Sequence, residues 1–184
     1  MRQYYYMIGN KKDVFPPDLL PYLVAGYHLD DDATDWVGSN NGTASNVTYA
    51  PAKVNDGAVF NGSNAVITVA NTISSTWSFS FYIKPNSSGV QKNYAVIASA
   101  GDGYNGIYWK PNQTQIIYYS GGDKGFGFVA FDEFTHVVLT YDGTYLRCYK
   151  NSILDGISYA GSFANPLTHF GNDIYEEAFN GILD

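Results

Sequence analysis

The chain has 184 residues and a formal net charge of −7, a length that suits one domain with a full core of its own. That acidic balance leaves no basic stripe to meet phosphates and argues against a nucleic-acid partner. Abundant Tyr, Phe, Gly and Asn beside sparse Lys, Arg, Glu and Leu favour short strands joined by tight turns over long helices.

Residues 1–20 differ from the rest of the chain. Tyr4, Tyr5 and Tyr6 precede Lys11-Lys12, and Phe15-Pro16-Pro17 and Pro21 then interrupt regular structure, because proline lacks an amide proton and holds its predecessor extended. The segment reads as an extended N-terminal arm attached to a domain over 21–184. Its aromatic content points to docking, with Tyr4 to Ile8 added to a neighbouring subunit or to an exposed sheet edge. MRQYYYMIGNKK has no apolar core before a small-residue cleavage site, so it does not read as a secretory signal. No apolar run approaches the roughly 20 residues of a membrane span.

From Tyr22 the pattern is strand, turn, strand. A first strand is predicted over 22–29, followed by a long polar loop from Asp30-Asp31-Asp32 through Asn40-Asn41-Gly42-Thr43. Residues 58–60 and 65–69 flank Asn61-Gly62-Ser63-Asn64 and read as a hairpin. In 77–84, Trp77, Phe79, Phe81 and Ile83 alternate with Ser78, Ser80 and Tyr82, which predicts a strand with its aromatic face in the core. Strands follow at 94–99, 106–110 and 115–119, with Pro111-Asn112 turning between the last two. In 134–151, two alternating runs hinge on Asp142-Gly143, a strong signal for a tight hairpin. Val137, Leu139 and Tyr141 share one face. Asn151-Ser152 makes the next turn, and 167–170 and 178–183 are the last strand candidates. Many short strands at this spacing predict an all-β, two-sheet antiparallel sandwich.

LVAGYHLDDDATDWVGSNNGTA (23–44), GAVFNGSNAVITV (57–69), WSFSFYIKP (77–85), FTHVVLTYDGTYLRCYKN (134–151) and FNGILD (179–184), in that order, resemble the laminin-G-like family of concanavalin A-like jelly rolls. The resemblance implies a two-sheet jelly roll with a concave face and mostly non-enzymatic binding or assembly roles. Phe134 stands where the family tends to have Trp. The family also continues its last strand past the position of Asp184, so the edge left there is expected to be covered by the N-terminal arm, by another subunit or by further chain. A calcium ion is implied where the first-strand loop meets the last strand, at Asp30 and Asp184 with Asp32 or Asp35 as helpers.

The residues offer little catalysis. The Glu-x-Asp-x-x-Glu strand of related glucanases is absent, Asp132-Glu133 precede a strand rather than alternate within it, and Asp173, Glu176 and Glu177 read as a solvated loop. His28, His136 and His169 are scattered, with His136 read as a packed strand residue. Cys148 is the single cysteine and reads as a buried apolar residue. Gly101-x-Gly103 and Gly125-x-Gly127 read as turn glycines. Sugar recognition needs aromatics beside polar groups. Tyr104, Tyr108, Trp109 and Tyr119, with Asn105, Asn112 and Gln115, supply a candidate contact set for a glycan or for a partner subunit.

Two functions fit these features. The first is a non-enzymatic structural or adhesion module of an assembly, a phage virion protein such as a head-decoration or tail-fibre component, with other subunits as partners and a surface glycan as a further one. The alternative is a carbohydrate-binding module of a secreted or cell-surface protein, which Asn-x-Ser/Thr sequons at Asn41, Asn46, Asn61, Asn86 and Asn112 would suit. The missing signal and the aromatic arm favour the first.

Overall fold

A computed structural model describes residues 3–7, 20–70, 76–120, 122–159 and 167–184. The described strands form two stacked sheets. The first has nine strands. Seven of them run in the order β14 (Ile153–Tyr159), β13 (Tyr145–Lys150), β12 (Thr135–Tyr141), β7 (Trp77–Pro85), β16 (Asn180–Leu183), β5 (Asp56–Asn61) and β4 (Thr48–Pro51). The remaining two are β1 (Gln3–Met7) and β2 (Leu23–Tyr27). The second sheet runs β11 (Asp123–Phe128), β10 (Gln115–Ser120), β9 (Asn105–Lys110), β8 (Ala95–Ser99), β15 (His169–Phe170), β6 (Val66–Thr68) and β3 (Thr43–Ser45). The all-β sandwich expected from the sequence is the fold of the chain. None of the helices described is long and apolar enough to cross a membrane.

Period-2 alternation builds the core. Phe81, Phe79 and Trp77 of β7 lie directly opposite Val137, Leu139 and Tyr141 of β12, and all six are buried. The Phe79 ring stacks 6.2 Å from Phe170 of β15 in the other sheet, so this one side chain ties the two layers together. On the outer face of β7, Ser80 Oγ lies 2.9 Å from His136 Nε2 and Tyr82 packs on the same imidazole. Burial pushes the His136 pKa down, as expected of a packed strand histidine. Cys148 is buried, and burial raises its thiol to about 12, which makes it an inert core residue.

Several expectations change. The 58–69 segment is not a hairpin. β5 pairs with β4 and β16 in one sheet, while β6 pairs with β3 and β15 in the other. Asn61 Oδ1 accepts the N–H groups of Ser63, Asn64 and Ala65, and Gly62 takes φ +71°, so the turn swings the chain from sheet to sheet. Thr43 begins a strand rather than ending a loop, and β4, β11 and β14 are further strands that composition hid. Gly125 and Gly127 lie within β11, not in a turn. A β-carbon on Gly127 would collide with the Asp155 carboxylate, so glycine lets the edges of the two sheets approach. The Asp142-Gly143 hairpin forms, but Tyr141 pairs with Leu146. Asp142 N–H donates to the Tyr145 carbonyl, so the turn sits one residue later, at Gly143-Thr144, and Asp142 Oδ1 caps it by accepting from Thr144 and Tyr145.

Of the two places expected for the N-terminal segment, residues 3–7 take the sheet edge, and that edge belongs to their own domain. They run parallel to both β2 and β7 and lie between them, with Tyr4, Tyr5 and Tyr6 opposite Ser78, Phe79 and Ser80. β16 covers the other half of the same β7 edge, ending where Asp184 and Tyr82 exchange main-chain hydrogen bonds. The edge expected to need covering is thus covered by the chain itself. Ile8 and the Phe15-Pro16-Pro17 stretch lie outside the described residues.

Candidate functional site

The outer face of the second sheet carries a cleft. Val96, Tyr108 and Ile117 stand in a direct cross-strand row on β8, β9 and β10 and form a small buried cluster of their own, separate from the main core. Tyr94 and Tyr119 pack against it. The neighbouring residues of the same strands alternate inward, so Trp109 faces the opposite way. It is fully buried between the sheets, 4.7 Å from Phe131 and 6.4 Å from Phe179. Trp109 is therefore a core residue and leaves the expected contact set, whereas Tyr104, Tyr108 and Tyr119 do come together.

They line a cleft of about 290 Å³ with Tyr94, Gly103, Tyr175 and Glu177. Tyr108 forms its floor. Tyr94 stands edge-on to both Tyr108 and Tyr119, at 6.1 Å from each, the arrangement aromatic quadrupoles favour. Lys110 Nζ sits 4.4 Å over the Tyr94 ring and binds Asp123 at 2.7 Å. The Tyr94 hydroxyl also donates to Asp123, so the ring is held from behind. The rim is an exposed pair, Tyr104 and Tyr175, with ring centroids 5.7 Å apart.

Two loops position that rim. In the first, Asp102 Oδ1 accepts from Tyr104 N–H and Asn105 N–H, and Gly103 takes φ +70°. The second is an excursion from β15. Gly171 N–H donates to Ile97 and Val96 N–H donates to Glu177, so residues 172–176 bulge out beside β8. Asp173 Oδ1 accepts from the Tyr175 and Glu177 N–H groups inside this excursion, and Glu177 Oε2 accepts from Tyr94 N–H.

Asp173 and Glu177 are thus not the solvated residues that the sequence pattern suggested; only Glu176 of that group is exposed. Burial raises both carboxyl pKa values, and neighbouring carboxylates raise them further: Asp173 acts on Glu177, and Asp102 on Asp173. Tyr108 is shifted up by burial and by the charges of Asp173, Asp102 and Glu177. The Tyr108 hydroxyl and Asp173 Oδ2 are both buried with no hydrogen-bond partner. Sequence reasoning missed Tyr94, Tyr175 and Glu177. Tyr94 opens a predicted strand, and its alternation with Val96 was the available signal. Tyr175 and Glu177 carried none, since only the topology brings them beside Tyr108.

The family can be read from 56–184, where the chain matches the model of the concanavalin A-like lectin/glucanases superfamily. The chain belongs to this superfamily. A search of curated proteins found none similar in sequence. Among solved structures, domain 4 of an extracellular GH43 arabinanase from Geobacillus stearothermophilus, in complex with arabinotriose, is similar with a TM-score of 0.66 at 20% identity, over 83% of this chain and 84% of that one. The carbohydrate-binding module CBM66 from Bacillus subtilis is similar with a TM-score of 0.50 at 12% identity, over 77% and 89%. A Trypanosoma rangeli sialidase is similar with a TM-score of 0.53 at 14% identity, over 83% of this chain but 26% of that one. At these identities the likeness concerns the fold.

The acidic positions expected to hold calcium meet at one turn. Asp184 Oδ2 accepts Val54 N–H at 2.8 Å, and Asp30 accepts from Asp56 N–H and the Asn55 amide, both at 3.3 Å. Asp35 is spent elsewhere, accepting from the N–H groups of Gly26, Val37 and Asn40 to hold the first loop. Asp32 caps Thr34. Among the described residues no group of three or more His, Cys, Asp or Glu is placed to hold a metal, so this donor set on its own falls short of the six to eight oxygens calcium takes.

Proposed function

We propose that this protein is a carbohydrate-binding module of a secreted or cell-surface protein, which binds an oligosaccharide in the Tyr94–Tyr104–Tyr108–Tyr119–Tyr175 cleft. The observation that carries the reading is the cleft itself: five tyrosines and one carboxylate converge on a shallow concavity. Aromatic faces there cover the apolar side of a sugar ring, while hydroxyl and carboxylate groups orient its hydroxyls. The arabinanase domain solved with arabinotriose and the CBM66 module support it as fold relatives named for carbohydrate binding. The virion reading, with other subunits as partners, has no such support, and the alternative is preferred.

The role is binding rather than hydrolysis. Glu177 is tied to Tyr94 N–H and Asp173 to its own loop, so both carboxylates have structural duties. Calcium, if the turn takes one, would sit between Asp30 and Asp184 and draw further oxygens from main-chain carbonyls.

The test is calorimetric titration with arabino-oligosaccharides and a panel of other neutral oligosaccharides. Saturable binding to at least one, weakened about tenfold (about 1.4 kcal/mol) by Tyr175→Ala, is the expected result. Release of reducing sugar by the wild type, or binding indifferent to Tyr104→Ala and Tyr175→Ala, would overturn the reading.

A further inference from the structure

The charge around the cleft narrows the ligand class, an inference that rests on the glycan-binding reading. Glu177 lines the cleft, and Asp173 and Asp102 stand close enough for their charges to act on Tyr108 at its floor. The cations nearby are committed or remote. Lys110 is bound to Asp123 and to the Tyr94 hydroxyl, and Lys92 acts on Glu177 through space without an ion pair. Asp173 also feels His169 from β15.

Aromatic faces carry negative potential and attract cations, most strongly where water is partly excluded. Lys110 already occupies the Tyr94 ring, but the rings of Tyr104, Tyr108, Tyr119 and Tyr175 around one half-buried carboxylate make a place where a positive charge is stabilised twice, by the rings and by Glu177. A negatively charged sugar meets repulsion from the same groups. One further feature points to a polar ligand. Tyr108, which lines the cleft, is 2% exposed, yet its hydroxyl has no hydrogen-bond partner. Leaving a buried polar atom unsatisfied is costly, and a ligand bearing hydroxyl groups offers what this one lacks.

We propose that the cleft selects an amino sugar, a glycan whose ring carries a protonated amine, over neutral and acidic glycans. The amine lies among the tyrosine rings beside Glu177, and ring hydroxyls pair with the Tyr108 hydroxyl. No covalent step is involved.

The experiment compares three tetramers with the same linkage: glucosamine, N-acetylglucosamine and glucose. Affinities are measured by calorimetry in mildly acidic buffer, where the free amines are charged. Tighter binding of the glucosamine tetramer by about tenfold or more, a preference that falls with added salt and disappears in Glu177→Gln, is the expected result. Folding of Glu177→Gln is checked by its melting temperature, and Tyr175→Ala serves as a second variant that removes a ring face and leaves the charge. Equal affinity for the three tetramers, or a preference for a neutral one, would overturn the amino-sugar inference while leaving the module a glycan binder. If no oligosaccharide of any charge binds, the glycan reading itself falls. Tight binding of free choline, with no added affinity for any sugar, would overturn the assignment to a glycan and keep only the cation site.

Discussion

The ring of Tyr175 lies directly on the backbone of Gly103, so closely that a β-carbon there would overlap it. Gly103 also holds φ +70°, a conformation that costs a side-chain-bearing residue about 1–2 kcal/mol. Glycine at this position thus does two things: it turns the 101–105 loop and seats one wall of the cleft.

Gly103→Ala is expected to push Tyr175 off its seat and to lower glycan affinity together with the melting temperature. Tyr175→Ala should lower affinity alone, because that side chain is half exposed and covers little core. Parallel thermal melts and titrations of the two variants distinguish the cases; a Gly103→Ala protein with wild-type affinity would show that the seat does not matter.

Asp173→Asn should raise the melting temperature at neutral pH. The Asp173 carboxyl is raised by burial, with Asp102 adding to the shift and His169 opposing it. Its favourable contribution is therefore full below the ordinary value of 3.8 and is lost as pH rises through the raised folded value. Asparagine keeps Oδ1 as the acceptor for Tyr175 and Glu177 and removes the buried charge. The gain should shrink toward zero in melts below that ordinary value. A destabilised Asn variant at neutral pH would mean that the charge is compensated.

Phe79→Ala should cost about 3–5 kcal/mol in chemical denaturation, the usual range for deleting a buried ring. Phe79 is buried and reaches across to Phe170, so unchanged stability would contradict the packing described.

Deleting residues 1–8 should destabilise the fold, not merely trim it. β1 is the ladder partner of β2 and of half of one β7 edge. Its removal exposes main-chain groups on both strands, at about 0.5–1.5 kcal/mol for each ladder hydrogen bond. Hydrogen exchange should show lost protection at residues 23–27 and 77–80. Protection equal to the full chain would place these residues outside the sheet in solution.

Calcium occupancy of the Asp30–Asp184 turn predicts a melting temperature raised by calcium and lowered by EDTA, since a ligand bound only to the native state stabilises it. Asp30→Ala should abolish the response. Indifference of the wild type to both additives would leave the two carboxylates as acceptors for the 54–56 turn and nothing more.

Short-range pattern determined much of this protein. Alternation over Trp77–Ile83 and Val137–Tyr141 sends aromatic and aliphatic side chains to one face, and a two-sheet sandwich is the way to bury such faces. Local chemistry also marked the Asp142, Asn151 and Pro111 turns, and two tyrosines of the cleft, Tyr108 and Tyr119. Periodicity does not carry partner choice. Residues 58–69 have the composition of a hairpin, and only competition with β16 and β15 sends the two strands to different sheets. Trp109 and Tyr108 are adjacent aromatics of similar appearance, yet the pleat buries one in the core and turns the other to the cleft floor. Tyr175 and Glu177 reach that cleft because the β15 excursion folds back beside β8, and the N-terminal tyrosines enter the sheet because β2 and β7 leave a slot one strand wide. Such long-range pairings depend on which edges stay open once the rest has folded, which no local window of residues contains.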